Sequence, residues 1–443
     1  MIELEDLSKK FNLQDHDLLD KITESLNQKI IGETNNKKII FLVCLTKDLQ
    51  RDERLSLIIS SVSSAGKSNL LNSVLEIFKK DVIDFTEFTS AYFHRKMGNL
   101  NGKILKFEQM EKTNQRGQVT MSFLKHQLSE GKTKMGLVDR DEDGKWSTKE
   151  LEVNGIPVYI STTTNPNIDS ETLNRMILMQ IDETEIQTEK ITSFTLNKYS
   201  SPRVNDTWQN ELKELRKLVT YYQELGKETT EILIPFAKKL EGKFPKNTEI
   251  RRDLKFILNL TKAIAFCHSA NRKRVRDNNG ESQILDQFAK TEKVYRYSLI
   301  AELDDFKEAL EIGKDIFSQT LNKLNKSTME IITHARDLDK EGLGFTSSDM
   351  ARVSGLSQNR AREKINQGLE AGFFTREGNK PITYKLTKKK LEVLSIDGIK
   401  FTDLEFKKWF TESYSKYNGR FEISFPHTTS DLLRTNLSKS HEK

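Results

Sequence analysis

Cysteine is nearly missing from this chain: among 443 residues only Cys44 and Cys267 carry thiols. Both stand in apolar-periodic stretches, where a free thiol behaves as a small buried hydrophobe. They permit no disulfide framework beyond a single bridge, and neither has metal-ligand spacing. Apolar runs long enough to span a bilayer are missing as well. The opening residues, Met1-Ile2-Glu3-Leu4-Glu5-Asp6, are too acidic and polar for a signal peptide. The expectation is a cytoplasmic protein with no membrane partner. A dominant sign of charge is also lacking. Lys and Arg number 71 against 65 Asp and Glu, and the net +6 allows a nucleic-acid partner without requiring one. A hydrophobic fraction of 36% beside 31% charged residues describes a wet-surfaced chain with material for real cores. Its length suits two or three domains.

Residues 1–50 read as an N-terminal helical segment. Ile30, Ile31, Ile39, Ile40, Leu42, Val43 and Leu45 stand mostly at helix-compatible spacings, broken by the polar turn Gly32 to Asn36. The short apolar run 55–60 has the look of a strand buried on both faces. Leu70, Leu71, Val74, Leu75 and Phe78 then fall on one side of a helix over 68–79, and strands are expected at 82–85, 103–107 and 157–162. Strands alternating with helices predict an α/β core with a parallel sheet over 51–200. From 207 to 325 strand signals fade into helical patterns, including a packed helix with a basic end over Arg251–Arg276 and a polar loop at 277–282.

Over 327–390 a helix, a capped second helix from Thr346, a turn at Ser354–Ser357, a third helix and two short strands predict a winged-helix domain. Residues 391–443 form an extension that the pattern does not place.

Ser63-Ser64-Ala65-Gly66-Lys67-Ser68, continuing into Asn69, lies between the buried-type strand and the amphipathic helix. A phosphate cradle needs consecutive backbone N–H groups at a helix N-terminus, a lysine for β/γ-phosphates and a hydroxyl for Mg²⁺. Those parts are present and imply ATP and Mg²⁺ as ligands. Ser61 stands where the first glycine of the usual pattern would be. ATP hydrolysis also needs an acid at a neighbouring strand end. Gly102 to Gln109 ends in Glu108-Gln109. Glu108 either completes the Mg²⁺ shell with Ser68 or is itself the base, with Glu111 in reserve. The strand Pro157–Ser161 leads into Thr162-Thr163-Thr164-Asn165, whose polar tip suits a γ-phosphate or the attacking water.

This order of parts, continued by Glu171-Thr172-Leu173-Asn174-Arg175, resembles an AAA+ ATPase module. More closely it is similar to the minichromosome-maintenance-like helicases of plasmids, viruses and integrated elements, over 30–390. The resemblance implies an AAA+ P-loop core, an α-helical lid over 207–325 and the winged helix. It makes Arg175 the arginine finger that reaches a neighbouring subunit's ATP, puts Thr163 or Asn165 at the sensor-one position and matches Arg252 to the sensor-two arginine. It also implies a homo-oligomeric ring, a hexamer, with single-stranded DNA in its channel.

Two extended arms around Asp143-Gly144 read as a β-hairpin. In the resembled family a hairpin at this place carries a basic residue to DNA; Lys145 takes that part, with Lys132 and Lys134 as reserves, although Asp139, Asp141, Glu142 and Asp143 share the tip. In the winged helix, Gln358, Asn359, Arg360 and Arg362 open the third helix with side chains suited to base edges or phosphates of duplex DNA. The expected activity is ATP-dependent DNA unwinding in replication of a mobile element. An ATP-switched initiator or loader is the alternative. A transcription activator would need a Gly-Ala-Phe-type loop, and none is present.

Overall fold

A computed structural model describes residues 9–61, 66–85, 98–107, 125–140, 146–164, 174–200, 207–246, 250–285, 291–322, 324, 326–340, 342–378, 381–391, 396, 398–417 and 419–424. The chain begins with α1 (Leu18–Ser25) and α2 (Thr34–Leu45). In α2 every residue from Ile39 to Leu45 is buried, because the sequence is apolar around its whole circumference and neighbours surround it. Then come β1 (Leu57–Ser60), α3 (Lys67–Leu75), β2 (Val82–Phe85) and β3 (Ile104–Phe107). The antiparallel pair β4 (Lys132–Arg140) and β5 (Trp146–Asn154) follows, and β6 (Val158–Thr163) and β7 (Ile177–Gln180) complete the core strands.

Five of these strands form one parallel sheet in the order β2-β3-β6-β1-β7. Its two faces feed different cores, as the two-residue side-chain period requires. Leu57 and Ile59 join the cluster built on α2 and α3, whereas Ile58 joins Leu105, Tyr159, Leu100 and Val153 on the other face. The expected parallel α/β core is present.

Beyond β7 lie α4 (Glu185–Ser200), α5 (Thr207–Glu228), β8 (Thr229–Leu233), α6 (Ile250–Cys267), β9 (Arg274–Leu285), β10 (Thr291–Ile300) and α7 (Leu303–Asn322). The segment 207–325 is therefore not helical throughout. The loop expected at 277–282 runs inside β9, paired antiparallel with β10, and the helix expected to reach Arg276 ends at Cys267. Asp, Asn and Gly here suit a turn by local preference, and cross-strand pairing overrides it.

A last compact unit comprises α8 (Lys326–Leu338), α9 (Ser347–Ser354), α10 (Gln358–Glu370), β11 (Phe374–Glu377) and β12 (Thr383–Leu386), with its own core of Ile331, Phe345, Ile365, Phe373 and Tyr384. Thr346 and Asp349 form a reciprocal capping box at the start of α9. The C-terminal extension then returns as α11 (Asp403–Tyr414) and β13 (Phe421–Ser424), the latter adding to β9 so that a second sheet runs β13-β9-β10-β8. No helix among the described residues is long and apolar enough to cross a membrane.

His268 caps the end of α6 in a buried position beside Arg272. Burial and the nearby guanidinium hold it neutral, pushing its pKa down to about 4. The unfolded chain binds that proton near pH 6.5, so stability is present above 6.5 and lost as pH falls towards 4. Between pH 7.5 and pH 5 the loss through this group is about 2 kcal/mol. Urea unfolding of wild type and His268→Gln at the two pH values should show a smaller pH dependence in the variant.

Candidate nucleotide site

In a parallel sheet the C-terminal strand ends share one edge, and ligands bind outside that edge where strand order reverses. Here β1 lies between β6 and β7, while the strand that follows it in sequence, β2, lies at the far side. At this edge the Ser61 N–H donates to the Thr163 carbonyl at 3.3 Å, tying the end of β1 to the end of β6. Thr163 itself is buried.

Gly66 adopts a left-handed φ of 91° at the N-cap of α3, and no side chain caps that helix. Among the described residues, none outside its chain neighbours lies within 4 Å of where a Cβ would stand. Lys67 opens the helix, and its Nζ donates to the Ser61 carbonyl at 2.7 Å and to Ser61 Oγ at 2.9 Å. Ser68 and Asn69 follow, exposed, in the first turn. Backbone N–H groups, the positive end of a helix dipole and an ammonium converge here, which is an anion-binding arrangement. The serine in place of glycine has a visible role, since its hydroxyl holds the lysine.

Ser63, Ser64 and Ala65 lie outside the described residues, as do Glu108, Gln109, Glu111, Lys145 and Asn165. The strand leading to Glu108 ends at Phe107, opposite Ser161 on β6, so it reaches the same edge one strand away from β1. Among the described residues no group of three or more His, Cys, Asp or Glu could hold a metal ion.

Arg175 lies at the other end of the sheet. Two residues on, the Ile177 N–H donates to the Ser56 carbonyl, just before β1 begins. Arg175 Nε donates to Ser129 Oγ at 2.8 Å, and the Arg51 guanidinium donates to the Ser129 carbonyl at 2.5 Å. The four residues of β1, about 13 Å of strand, separate this edge from the Lys67 edge. Arg252, in the first turn of α6, donates from Nε to Asp253 Oδ1 at 3.1 Å.

The expected hairpin is present. Its base is fixed by Gln127, which accepts from Thr133 Oγ1 and donates to the Gly155 carbonyl at 2.6 Å, and by Val153 buried against the sheet. Lys132 pairs with Glu152 at 2.9 Å and Lys134 with Glu150 at 2.5 Å. The Glu150 carboxylate raises the Lys134 pKa above its ordinary value. Both reserve lysines are thus matched by acids on the facing strand.

Gln358, Asn359, Arg360 and Arg362 are all exposed at the start of α10, with Ser357 capping the helix through Arg360 N–H. Gln358 also donates to Ser348 Oγ at 2.7 Å.

Sequence reasoning passed over one feature of the Lys67 edge. Glu33 has φ 55°, the left-handed region, following Gly32 at φ 67°. A non-glycine residue held there costs about 1–2 kcal/mol. Its carboxylate accepts from Asp182 N–H at 2.8 Å and from Asn36 Nδ2 at 2.5 Å, and Asn36 also donates to the Gln180 carbonyl at 2.9 Å. The polar turn read as a helix break is thus a clamp on the end of β7. Gly32 was the available signal, since a left-handed turn favours glycine.

No family model matches the chain, and no curated protein matches it. Among solved structures it is similar to a Cytophaga hutchinsonii protein designated an ATPase, at 12% identity and TM-score 0.34, covering 66% of this chain and 84% of that one. It is also similar to the apo A form of the NrS-1 C-terminal region, at 13% identity and TM-score 0.23, covering 56% of this chain and 65% of that chain. A 305–718 form of that region aligns at 10% identity and TM-score 0.25, covering 83% and 74%. At these TM-scores the likeness fixes no function.

Gly66→Ala forces a side chain into the left-handed region at the mouth of the turn. If the free loop relaxes out of that region, re-forming it on binding costs about 1–2 kcal/mol, and affinity for a fluorescent ATP analogue should fall about ten-fold. Thermal unfolding of the nucleotide-free protein should shift far less than a core truncation such as Ile160→Ala.

Proposed function

We propose that this chain is an ATP-hydrolysing subunit of a homo-oligomeric ring, a hexamer, that moves along and unwinds DNA during replication of a mobile element. One observation carries the reading: Lys67 and Arg175 stand at opposite edges of one parallel sheet. A phosphate held at Lys67 is out of reach of the same subunit's Arg175. Stacked copies that present one edge to the other bring the two together, and such head-to-tail contacts form a ring when the rotation between copies closes.

In this reading Lys67 and the N–H groups from Ser63 to Asn69 hold the β- and γ-phosphates of ATP, and Ser68 Oγ holds Mg²⁺ with Glu108. The space at Gly66 and the N-terminus of α3, filled by no described side chain, fit such an anion. Bound Mg²⁺ supplies charge neutralisation of the phosphates. Glu108 in its other role is the base, and Thr163 or Asn165 orients the γ-phosphate or the water. Arg175 stabilises charge in the neighbour's site, and Arg252 senses the nucleotide from the lid.

DNA contacts fall to Lys145 at the hairpin tip, with Lys132 and Lys134 in reserve, and to Gln358, Asn359, Arg360 and Arg362 in the unit 326–386, read as a winged helix. The alternative, an ATP-switched initiator or loader that hardly translocates, is favoured by the pairing of Lys132 and Lys134 with glutamates, which leaves the hairpin arms a weak grip on phosphate.

Lys67→Ala is expected to abolish ATP binding. Arg175→Ala should leave ATP-analogue binding within about two-fold while lowering the DNA-stimulated rate about 10³-fold or more. Mixing the two inactive variants at equal concentration should restore turnover at roughly a quarter of the interfaces, those with Lys67 on one side and Arg175 on the other. A mixture as inactive as its parts would sink the shared-site reading. For the DNA contacts, Arg360→Ala/Arg362→Ala should weaken duplex binding and reduce its salt slope by about two.

A further inference from the structure

Among the described residues the helix α4 shows no packing partner beyond its first turn, and Phe194 is its one half-buried side chain. Of its sixteen residues only Gln187 is buried, donating from Nε2 to the Ile31 carbonyl at 2.6 Å. Ile186 is 66% exposed, Ile191 44%, Leu196 65% and Tyr199 87%. These four stand at roughly 0°, 140°, 280° and 220° around the axis, so apolar groups surround the helix instead of forming one stripe. A plane such as a lipid surface, or a single groove, covers one side only; this distribution calls for enclosure.

Helix propensity does not explain the element either. Ten of its sixteen residues are Ile, Thr, Ser, Phe, Asn or Tyr, all indifferent helix formers. Thr188, Thr192 and Thr195 donate their hydroxyls back to carbonyls four residues earlier, which does little for a helix in water. Isolated helices of about this length are marginal even with better sequences. Among the described residues nothing supplies the packing such a helix needs.

Position names the source. β7 runs parallel to β1, so α4 leaves the sheet at the Lys67 edge, next to the Gly32–Glu33 clamp. At Thr207 the chain is held again, its hydroxyl donating to Gln28 Oε1 at 2.8 Å, a few residues from Ile31, and Trp208 beside it is buried. The helix thus starts, and the described chain resumes after it, at one place on the edge where the proposed nucleotide site lacks its arginine. A 16-residue helix about 24 Å long and 10 Å across offers roughly 750 Å² of lateral surface. That is close to the roughly 800 Å² per partner of a standard stable interface.

We propose that α4 is the docking element between copies of this chain, inserted into the neighbouring subunit whose Arg175 edge faces the Lys67 edge. The inference rests on the shared-site reading for which neighbour it engages, though not for its being covered by a second copy.

The test uses the full chain. Cys44 and Cys267 are both buried, so Leu196→Cys supplies the single accessible thiol for a maleimide–diazirine photo-crosslinker. Isotopically heavy and light proteins are mixed, with an ATP analogue present, then irradiated and mapped by mass spectrometry. The expected adducts join residue 196 of one copy to a different copy, at peptides from the Arg175 edge such as those holding Arg51 or Ser129. In parallel, Ile191→Asp/Leu196→Asp/Tyr199→Ser should raise the protein concentration needed for assembly at least about ten-fold in sedimentation velocity, with ATP-analogue affinity of the monomer unchanged. Adducts confined to one copy, or assembly unaltered by the triple substitution, would overturn the proposal, as would a chain that never associates. Crosslinks between copies in a protein that binds no nucleotide would leave α4 as the docking element and remove the ATPase reading. Crosslinks between copies at peptides away from the Arg175 edge would overturn the assigned neighbour.

Discussion

Four residues set the geometry on which the rest of this molecule depends. Leu57 to Ser60 are buried on both faces and flanked on both sides by parallel strands, so the chain has no freedom in where β1 ends. Parallel pairing delivers every strand's C-terminal end to one edge and every N-terminal end to the other. Ser61, Gly66, Lys67 and Thr163 share the first edge, and Arg175 with Ser129 and Arg51 the second. The chemistry attributed to the chain is a matter of which edge each polar residue occupies, and β1 is the ruler between them.

Much of this was legible in the sequence, for a physical reason. Leu57-Ile58-Ile59 is a short apolar run with no polar alternation, and only a strand covered on both faces tolerates that pattern. The turn at Gly66 and the capping box at Thr346 were readable because they are local: backbone conformation and side-chain hydrogen bonds within three residues decide them. The arms of the hairpin were readable because turn residues at Asp143-Gly144 separate two extended stretches. By contrast, β9 and β13 were not, since residues 274–285 find their partners at 291–300 and 421–424. Nothing near Asp277-Asn278-Asn279-Gly280 announces a strand, and the pairing that makes one comes from more than 130 residues away for β13.

The site was less legible than the fold. The pairing of Lys132 with Glu152 and Lys134 with Glu150 depends on hairpin register, which the sequence leaves undetermined until both strands are aligned. The strain at Glu33 was hidden too, because a polar turn after Ile31 reads as a plain helix break. Only its contacts with Asp182 and, through Asn36, Gln180 show why an unfavourable backbone conformation is kept.

The serine that replaces glycine ahead of the lysine has a kinetic meaning. With its carbonyl and hydroxyl both accepting from Lys67 Nζ, Ser61 is a resident competitor for the ammonium, and in the proposed reading a phosphate has to displace it. Each hydrogen bond is worth about 1 kcal/mol net, so the two together offset part of what the phosphate contributes. An occupant leaves a lysine that already has somewhere to go. Under the proposed ATPase reading, that competition favours short residence and quick exchange in the pocket.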